Sequence, residues 1–217
     1  MDPLRKIYAD KPMAYFANAR DAEVVPLLPR PAARALELGC GEGATLARLK
    51  ERGLVGWAAG IEIETSAADR ARPYLDQVVT GNVESIDDAL IPRDLDLILC
   101  LDVLEHLVDP WRVVHRLARR LTPGGAIVAC IPNLRHVGTL LPLALKGRFD
   151  YVESGTLDRG HLRFFTRSSV TELFQQAGLI VRIDAPVAGK SAVLNALTLG
   201  FARDLCAYRY FVRAEKR

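Results

Sequence analysis

The chain has 217 residues, half of them apolar and a quarter charged, with a formal net charge of +3. That length suits one α/β domain with some decoration, and so mild a charge argues against nucleic acid, which leaves a concentrated basic footprint. Cys40, Cys100, Cys130 and Cys206 have no CxxC spacing; packed, reduced thiols and a cytoplasmic, reducing location are expected. Residues 1–10 carry charges and no apolar signal core, and no run is long enough to span a bilayer.

Residues 1–32 read as an N-terminal helical arm ending in a linker with Pro26, Pro29 and Pro31, and residues 33–217 as the main domain. Strands are expected at 34–38, 57–63, 77–80, 95–101 and 126–131, the last after a turn at Pro123-Gly124-Gly125. Helices are expected at 45–52, 66–74, near 84–89, and at 110–121, where Leu and Val recur at helical spacing. Residues 95–101 are apolar except for Asp96, as a parallel strand covered on both faces should be. Residues 133–165 break the rhythm. A helix at 166–177 and strands at 179–183 and 206–212 follow, with an apolar insert at 187–201. Alternating strands and helices predict a mostly parallel sheet with helices on both faces and ligands at the strands' carboxyl ends.

The chemistry starts at Glu37-Leu38-Gly39-Cys40-Gly41-Glu42-Gly43. Glycines alternating where a strand turns into a helix let a ligand lie on the backbone. Gly39-x-Gly41-x-x-Ala44 also satisfies a dinucleotide fingerprint, and Glu62, about 20 residues on, could hold ribose hydroxyls of either cofactor type. Glu37 suits a cationic group or a hydroxyl rather than a pyrophosphate.

Two later motifs separate the readings: Leu101-Asp102-Val103-Leu104-Glu105-His106-Leu107 and Leu121-Thr122-Pro123-Gly124-Gly125. With the glycine loop and Glu62, this ordered set resembles class I S-adenosylmethionine (SAM) methyltransferases of the small-molecule type. The runs "IPNLRHV" and "DRGHLRFFT" resemble the subgroup that accompanies glycan and polysaccharide synthesis. The resemblance implies a Rossmann-like seven-stranded sheet whose last strand pair closes antiparallel. It implies that Glu37, Gly39, Cys40, Gly41 and Gly43 cradle the methionine part of SAM, and that Glu62, next to Ile63, holds the ribose. It puts Asn82 and Val83 near adenine, and Leu101 and His106 on the other side. In the arm, Arg20 could pair with the SAM carboxylate. Where the family often has Gly-Asp, this chain has Gly81-Asn82, a neutral acceptor for the adenine amine.

An alcohol acceptor must lose a proton, and His is the usual base near neutral pH. His106 follows strand four and His161 lies in the irregular insert; these two are the catalytic candidates, with His115 read as a packing or surface residue and His136 as the insert's other His. Asp102-x-x-Glu105-His106 with His161 also resembles the metal constellation of small-RNA 2′-O-methyltransferases. "LEHL" occurs across metal-free members too, and Asp102 is shorter than the usual Glu, so no resident metal is expected. The expected activity is SAM-dependent O-methylation of a small molecule such as a saccharide or lipid-linked glycan. Residues 133–165 and 187–201 are the expected substrate lid, and the second could graze a membrane. An NAD-dependent oxidoreductase and a non-catalytic SAM-binding protein are the alternatives.

Overall fold

The computed structural model describes residues 13–187 and 190–217. The expectation for the first part of the arm, residues 1–12, lies outside them, as do positions 188 and 189 of the apolar insert. Seven strands form one sheet: β1 (Ala32–Leu38), β2 (Val55–Glu62), β3 (Gln77–Thr80), β4 (Leu95–Leu101), β5 (Leu121–Pro132), β6 (Ile180–Asp184) and β7 (Arg209–Glu215). Their order is β3-β2-β1-β4-β5-β7-β6. The first five pair in parallel, and β7 runs antiparallel to both β5 and β6. This is the expected Rossmann-like α/β architecture.

Period-2 alternation divides the core between the two faces of the sheet. Leu36, Ile98, Cys100, Ile127 and Ala129 join one buried cluster, and Ala35, Leu97, Leu99, Val128 and Cys130 the other. Strand β4 is buried on both faces, as its apolar run requires. Outside the sheet lie α1 (Met13–Phe16), α2 (Asp21–Val24), α3 (Ala44–Glu51), α4 (Thr65–Ala71), α5 (Pro110–Ala118), α6 (Val137–Lys146), α7 (Arg167–Gln175), α8 (Lys190–Leu197) and α9 (Arg203–Cys206). The Asp109 carboxylate accepts the Arg112 amide to start α5, and Thr166 forms a capping box with Ser169 at α7. The four cysteines are free and buried.

Several expectations shift. The Pro123-Gly124-Gly125 segment is not a turn ahead of β5 but a bulge inside it. Leu121 pairs with Leu95 and Ala126 with Leu97, so residues 122–125 face Asp96 alone. The bulge holds because Gly124 and Gly125 also bond Lys216 beyond β7. The helix expected near 84–89 shrinks to a 3₁₀ turn, Asp88–Leu90. The irregular stretch 133–165 contains α6, started by the His136 ring, which accepts the Gly138 amide at 3.2 Å. The last strand starts at Arg209 rather than 206, because α9 occupies Arg203–Cys206 first.

The arm is not a separate body. Val24 is buried in the core, and Asp21 pairs with Arg48 and Arg52 of α3 and its end. The Glu42 amide donates to Phe16 O at 2.9 Å and the Arg20 amide to Thr45 Oγ1 at 3.2 Å. These bonds drape α1 over the glycine loop.

Candidate active site

A cavity of about 560 Å³ opens at the carboxyl ends of β1, β2 and β4, within the usual range for small-molecule sites. Its floor is the turn from β1 to α3. Gly39 and Gly41 adopt φ of +61° and +53°, where L side chains are strained. A Cβ on Gly41 would lie 2.3 Å from Phe16 O, and one on Gly39 would lie 2.9 Å from Val103 Cγ2. Glycine is therefore required at both positions by conformation and by space. Gly43, by contrast, packs toward Leu75 and Ala71 and is not on the cavity wall; its φ of +80° starts α3.

Glu37 and Glu62 reach the wall from the ends of β1 and β2. The Glu62 carboxylate accepts the Gly41 amide at 2.8 Å and the Glu64 amide at 2.9 Å. Burial raises its pKa. Burial also pushes Glu37 up to about 8, against the pull of Thr45 and Arg20. Its Oε2 is buried with no hydrogen-bond partner, an acceptor aimed at whatever fills the cavity.

Ile63, Asn82, Val83, Leu101, Cys40 and His106 also line the cavity, as does Arg20 from the arm. Arg20 Nη1 donates to Asp102 Oδ2 at 2.6 Å, and Arg209 approaches the same oxygen at 3.6 Å. Asp102 stands at φ +56°, a strained position of the kind that clusters at functional sites. Its Oδ1 is buried and unpartnered. The Asn82 Oδ1 accepts the Glu84 amide at 2.9 Å, so one of its lone pairs serves the local turn and one faces elsewhere.

His161 is not on the cavity wall. It lies behind His106, with ring centroids 4.7 Å apart and near-perpendicular planes. His106 Nδ1 is 3.0 Å from Gly160 O, and His161 Nδ1 is 3.0 Å from Thr156 O. Carbonyls only accept, so both Nδ1 atoms carry protons, and in the neutral rings both Nε2 atoms do not. Burial, then the neighbouring His161, lowers His106 to about 4, so its ring is neutral at physiological pH. Glu105 is buried beneath them; neither carboxylate oxygen has a hydrogen-bond partner, and Oε1 is 4.0 Å from His161 Nε2. Burial and the Asp102 charge hold Glu105 well above the usual carboxylate range. One ligand atom each from Glu105, His106 and His161 falls within 4.8 Å of the others.

Sequence reasoning missed several wall residues: Asn18, Thr45, Ile61, Val103 and Leu107. Val103 and Leu107 lie inside the motif that follows β4, and Thr45 adjoins the glycine loop, so proximity was a usable signal. Asn18 gave none, because only the fold of the arm brings it there.

A methyltransferase-domain family matches residues 10–182. A ubiquinone biosynthesis O-methyltransferase of Coxiella burnetii is 26% identical over 149 residues, 66% of this chain and 62% of that protein. The chain thus spans less than two thirds of that relative. The Aeromonas salmonicida protein of the same description is 27% identical over 189 residues, 84% of this chain and 77% of its own. Among solved structures, a SAM-dependent methyltransferase from Archaeoglobus fulgidus superposes with a TM-score of 0.65 at 18% identity, covering 90% of this chain and 92% of that one. The cavity suits the cofactor this family uses: the unpartnered Glu37 and Asp102 oxygens offer acceptors to a cationic or hydroxylated ligand, and the two required glycines leave the backbone bare. With half the chain and more matched, the sheet order and the cavity agree with the sequence: the chain belongs to the class I SAM-dependent methyltransferases.

Proposed function

We propose that this chain methylates a hydroxyl oxygen of a small molecule, one carried on a saccharide or a lipid-linked glycan. The observation that carries the reading is the pair of imidazoles, His106 on the cavity wall and His161 against it with ring centroids 4.7 Å apart. His106 and His161 each donate an Nδ1–H to a backbone carbonyl, and the His106 ring, on the cavity wall, is neutral at physiological pH. Bound SAM supplies an electrophilic methyl group on a sulfonium. The chain's residues do the rest. Glu62 and the glycine loop hold the ribose and methionine parts, Asn82 and Val83 the adenine, and Arg20 the carboxylate. His106 Nε2 takes the acceptor hydroxyl's proton, and His161 either relays it or orients the hydroxyl. The described part of the arm, residues 13–32, covers the cofactor, and the described parts of the inserts at 133–165 and 187–201 are the lid that excludes water. The O-methyltransferase descriptions of the curated relatives support oxygen as the methylated atom.

Calorimetry with S-adenosylhomocysteine and with NAD tests the cofactor, and transfer of labelled methyl to a panel of hydroxylated acceptors tests the reaction. Heat with NAD and none with S-adenosylhomocysteine sinks the reading.

A second reading rests on the same cluster. A buried carboxylate without partners and two imidazoles with Nδ1 tied to carbonyls are a donor set that fits a divalent cation. In that case Glu105, His106 and His161 are ligands, and the cation lowers the acceptor's pKa in place of the base. Melting temperatures with magnesium, manganese or zinc, and after chelation, separate the two readings: no shift with any ion removes the second.

A further inference from the structure

The walls of the cavity differ in what holds them. The floor is fixed by strand ends and by glycine geometry. The wall that follows β3 is not. Gly81, Asn82 and Val83 all face the cavity, yet residues 81–87 form neither helix nor strand before the 3₁₀ turn at Asp88–Leu90. The Gly81 amide is tied back to Glu62 O at 2.8 Å. Beyond it, the local bonds close a single turn, with the Ser85 and Ile86 amides both donating to Asn82 O at 3.0 Å. One such turn is not stable by itself in water. The Val83 side chain packs into the core, but the backbone of the segment needs partners from elsewhere.

Those partners come from one helix. Val113, Val114, Leu117 and Ala118 bury one face of α5 in the core and fix its position. From α5, Arg116 reaches behind the wall. Its Nη1 donates to Val83 O at 2.7 Å, its Nη2 to Ile86 O at 3.0 Å and its Nε to Asp88 Oδ1 at 2.7 Å. The side chain is only 12% exposed, which a guanidinium tolerates when its donors are used. One turn on, Arg120 Nη2 donates to Asp88 O at 2.6 Å. At the start of α5 the roles reverse. The Glu84 carboxylate accepts the Val108 amide at 3.1 Å and the Asp109 amide at 2.8 Å, where a helix start favours negative charge. The segment is thus clasped to α5 at two points. A planar guanidinium sets the spacing of the Val83 and Ile86 carbonyls, as a single ammonium cannot.

Arg116 is absent from the cavity wall, so it acts through the residues it holds. We propose that Arg116 is a positioning residue for the cofactor: it sets the Asn82–Val83 wall in place for the purine before binding. A wall ordered in advance need not be ordered by the ligand, and affinity rises accordingly. This deepens the SAM-site reading and rests on its placement of adenine.

The test compares S-adenosylhomocysteine with its nucleoside half. Arg116→Ala and Arg116→Lys are titrated calorimetrically with S-adenosylhomocysteine and with 5′-methylthioadenosine, which lacks the amino-acid end, at a temperature where each variant is folded. Arg116→Ala should weaken both ligands by the same factor, roughly tenfold, the scale of ordering one backbone residue anew. Arg116→Lys should fall between it and the wild type, while Arg20→Ala should weaken S-adenosylhomocysteine alone. Amide hydrogen exchange at residues 82–88 should quicken in the Arg116 variants and slow when the wild type binds either ligand. An arginine that only stabilises the fold would lower the melting temperature and leave both affinities intact; that result overturns the proposal. So does a loss confined to S-adenosylhomocysteine. If Arg116→Ala does not fold, Arg116→Lys decides by the same two titrations. Quickened exchange with undiminished affinity strikes the proposal alone. Wild-type exchange at 82–88 that is unaltered by bound S-adenosylhomocysteine strikes the adenine placement itself, and the proposal with it.

Discussion

The Glu62 carboxylate accepts the Gly41 amide at 2.8 Å, joining the end of β2 to the loop after β1. One side chain therefore shapes the floor of the cavity and stands on its wall. Glu62→Ala should weaken S-adenosylhomocysteine binding by about 1.5–3 kcal/mol, the scale for bonds to a charged group. Titration calorimetry checks it, and affinity within twofold of the parent would remove Glu62 from the site.

Gly41→Ala tests the arm. The new methyl would collide with Phe16 O, 2.3 Å away, and occupy a left-handed conformation that costs roughly 1–2 kcal/mol. The variant should lose that much stability in urea, and the arm should become sensitive to protease ahead of the core. An unchanged cleavage pattern would mean that the arm lies elsewhere in solution.

Glu37 gives a proton signal. With a folded pKa of about 8 against an ordinary 4.5, it is mainly neutral at pH 7 in the free protein. Cofactor with a cationic amino group should favour the carboxylate and release up to about one proton. Calorimetry in buffers of different ionisation heat measures this, and Glu37→Gln should abolish it. The stability consequence has a definite sign. Between pH 4.5 and 8 the folded state binds the extra proton, so Glu37's contribution is lost as pH rises through that window.

His106 acts at the other end of the scale. Its folded pKa, about 4, lies below the ordinary 6.5. The unfolded chain binds the extra proton between these values, so stability should fall as pH drops from 6.5 toward 4. Replacing His106 with Gln should flatten that limb in a series of urea titrations.

His161→Gln should lower turnover by about 10²–10⁴ if the ring serves the proton transfer, with S-adenosylhomocysteine affinity unchanged because His161 is off the cavity wall. Turnover within a few-fold of the parent, with normal stability, would leave the ring a packing role behind His106.

The parallel half of the sheet was legible because its signals are local. Residues 77–80 and 95–101 are strands at the bounds the pattern gives, and Glu37, Gly39, Gly41 and Glu62 meet at one cavity because strand ends in this topology converge. What was not legible depends on distant partners. The bulge at Pro123-Gly124-Gly125 looks like a turn until Lys216 bonds across it. The placement of His161 behind His106 follows from Gly160 and Thr156 carbonyls that no spacing rule names. Asp102's strained backbone likewise has no sequence signature, since aspartate tolerates many conformations.

The antiparallel corner has a consequence for how the protein is made. Among the described residues, strand β6 pairs with β7 alone, and β7 follows it in the sequence. During synthesis, the sheet can close through β5, but β6 has no neighbour until residues 209–215 leave the ribosome. The cofactor cavity, built on β1, β2 and β4, is assembled from earlier segments. A nascent chain stalled before residue 209 should therefore hold a nearly formed cavity beside an open sheet edge on β5, a state in which cofactor binding and aggregation compete.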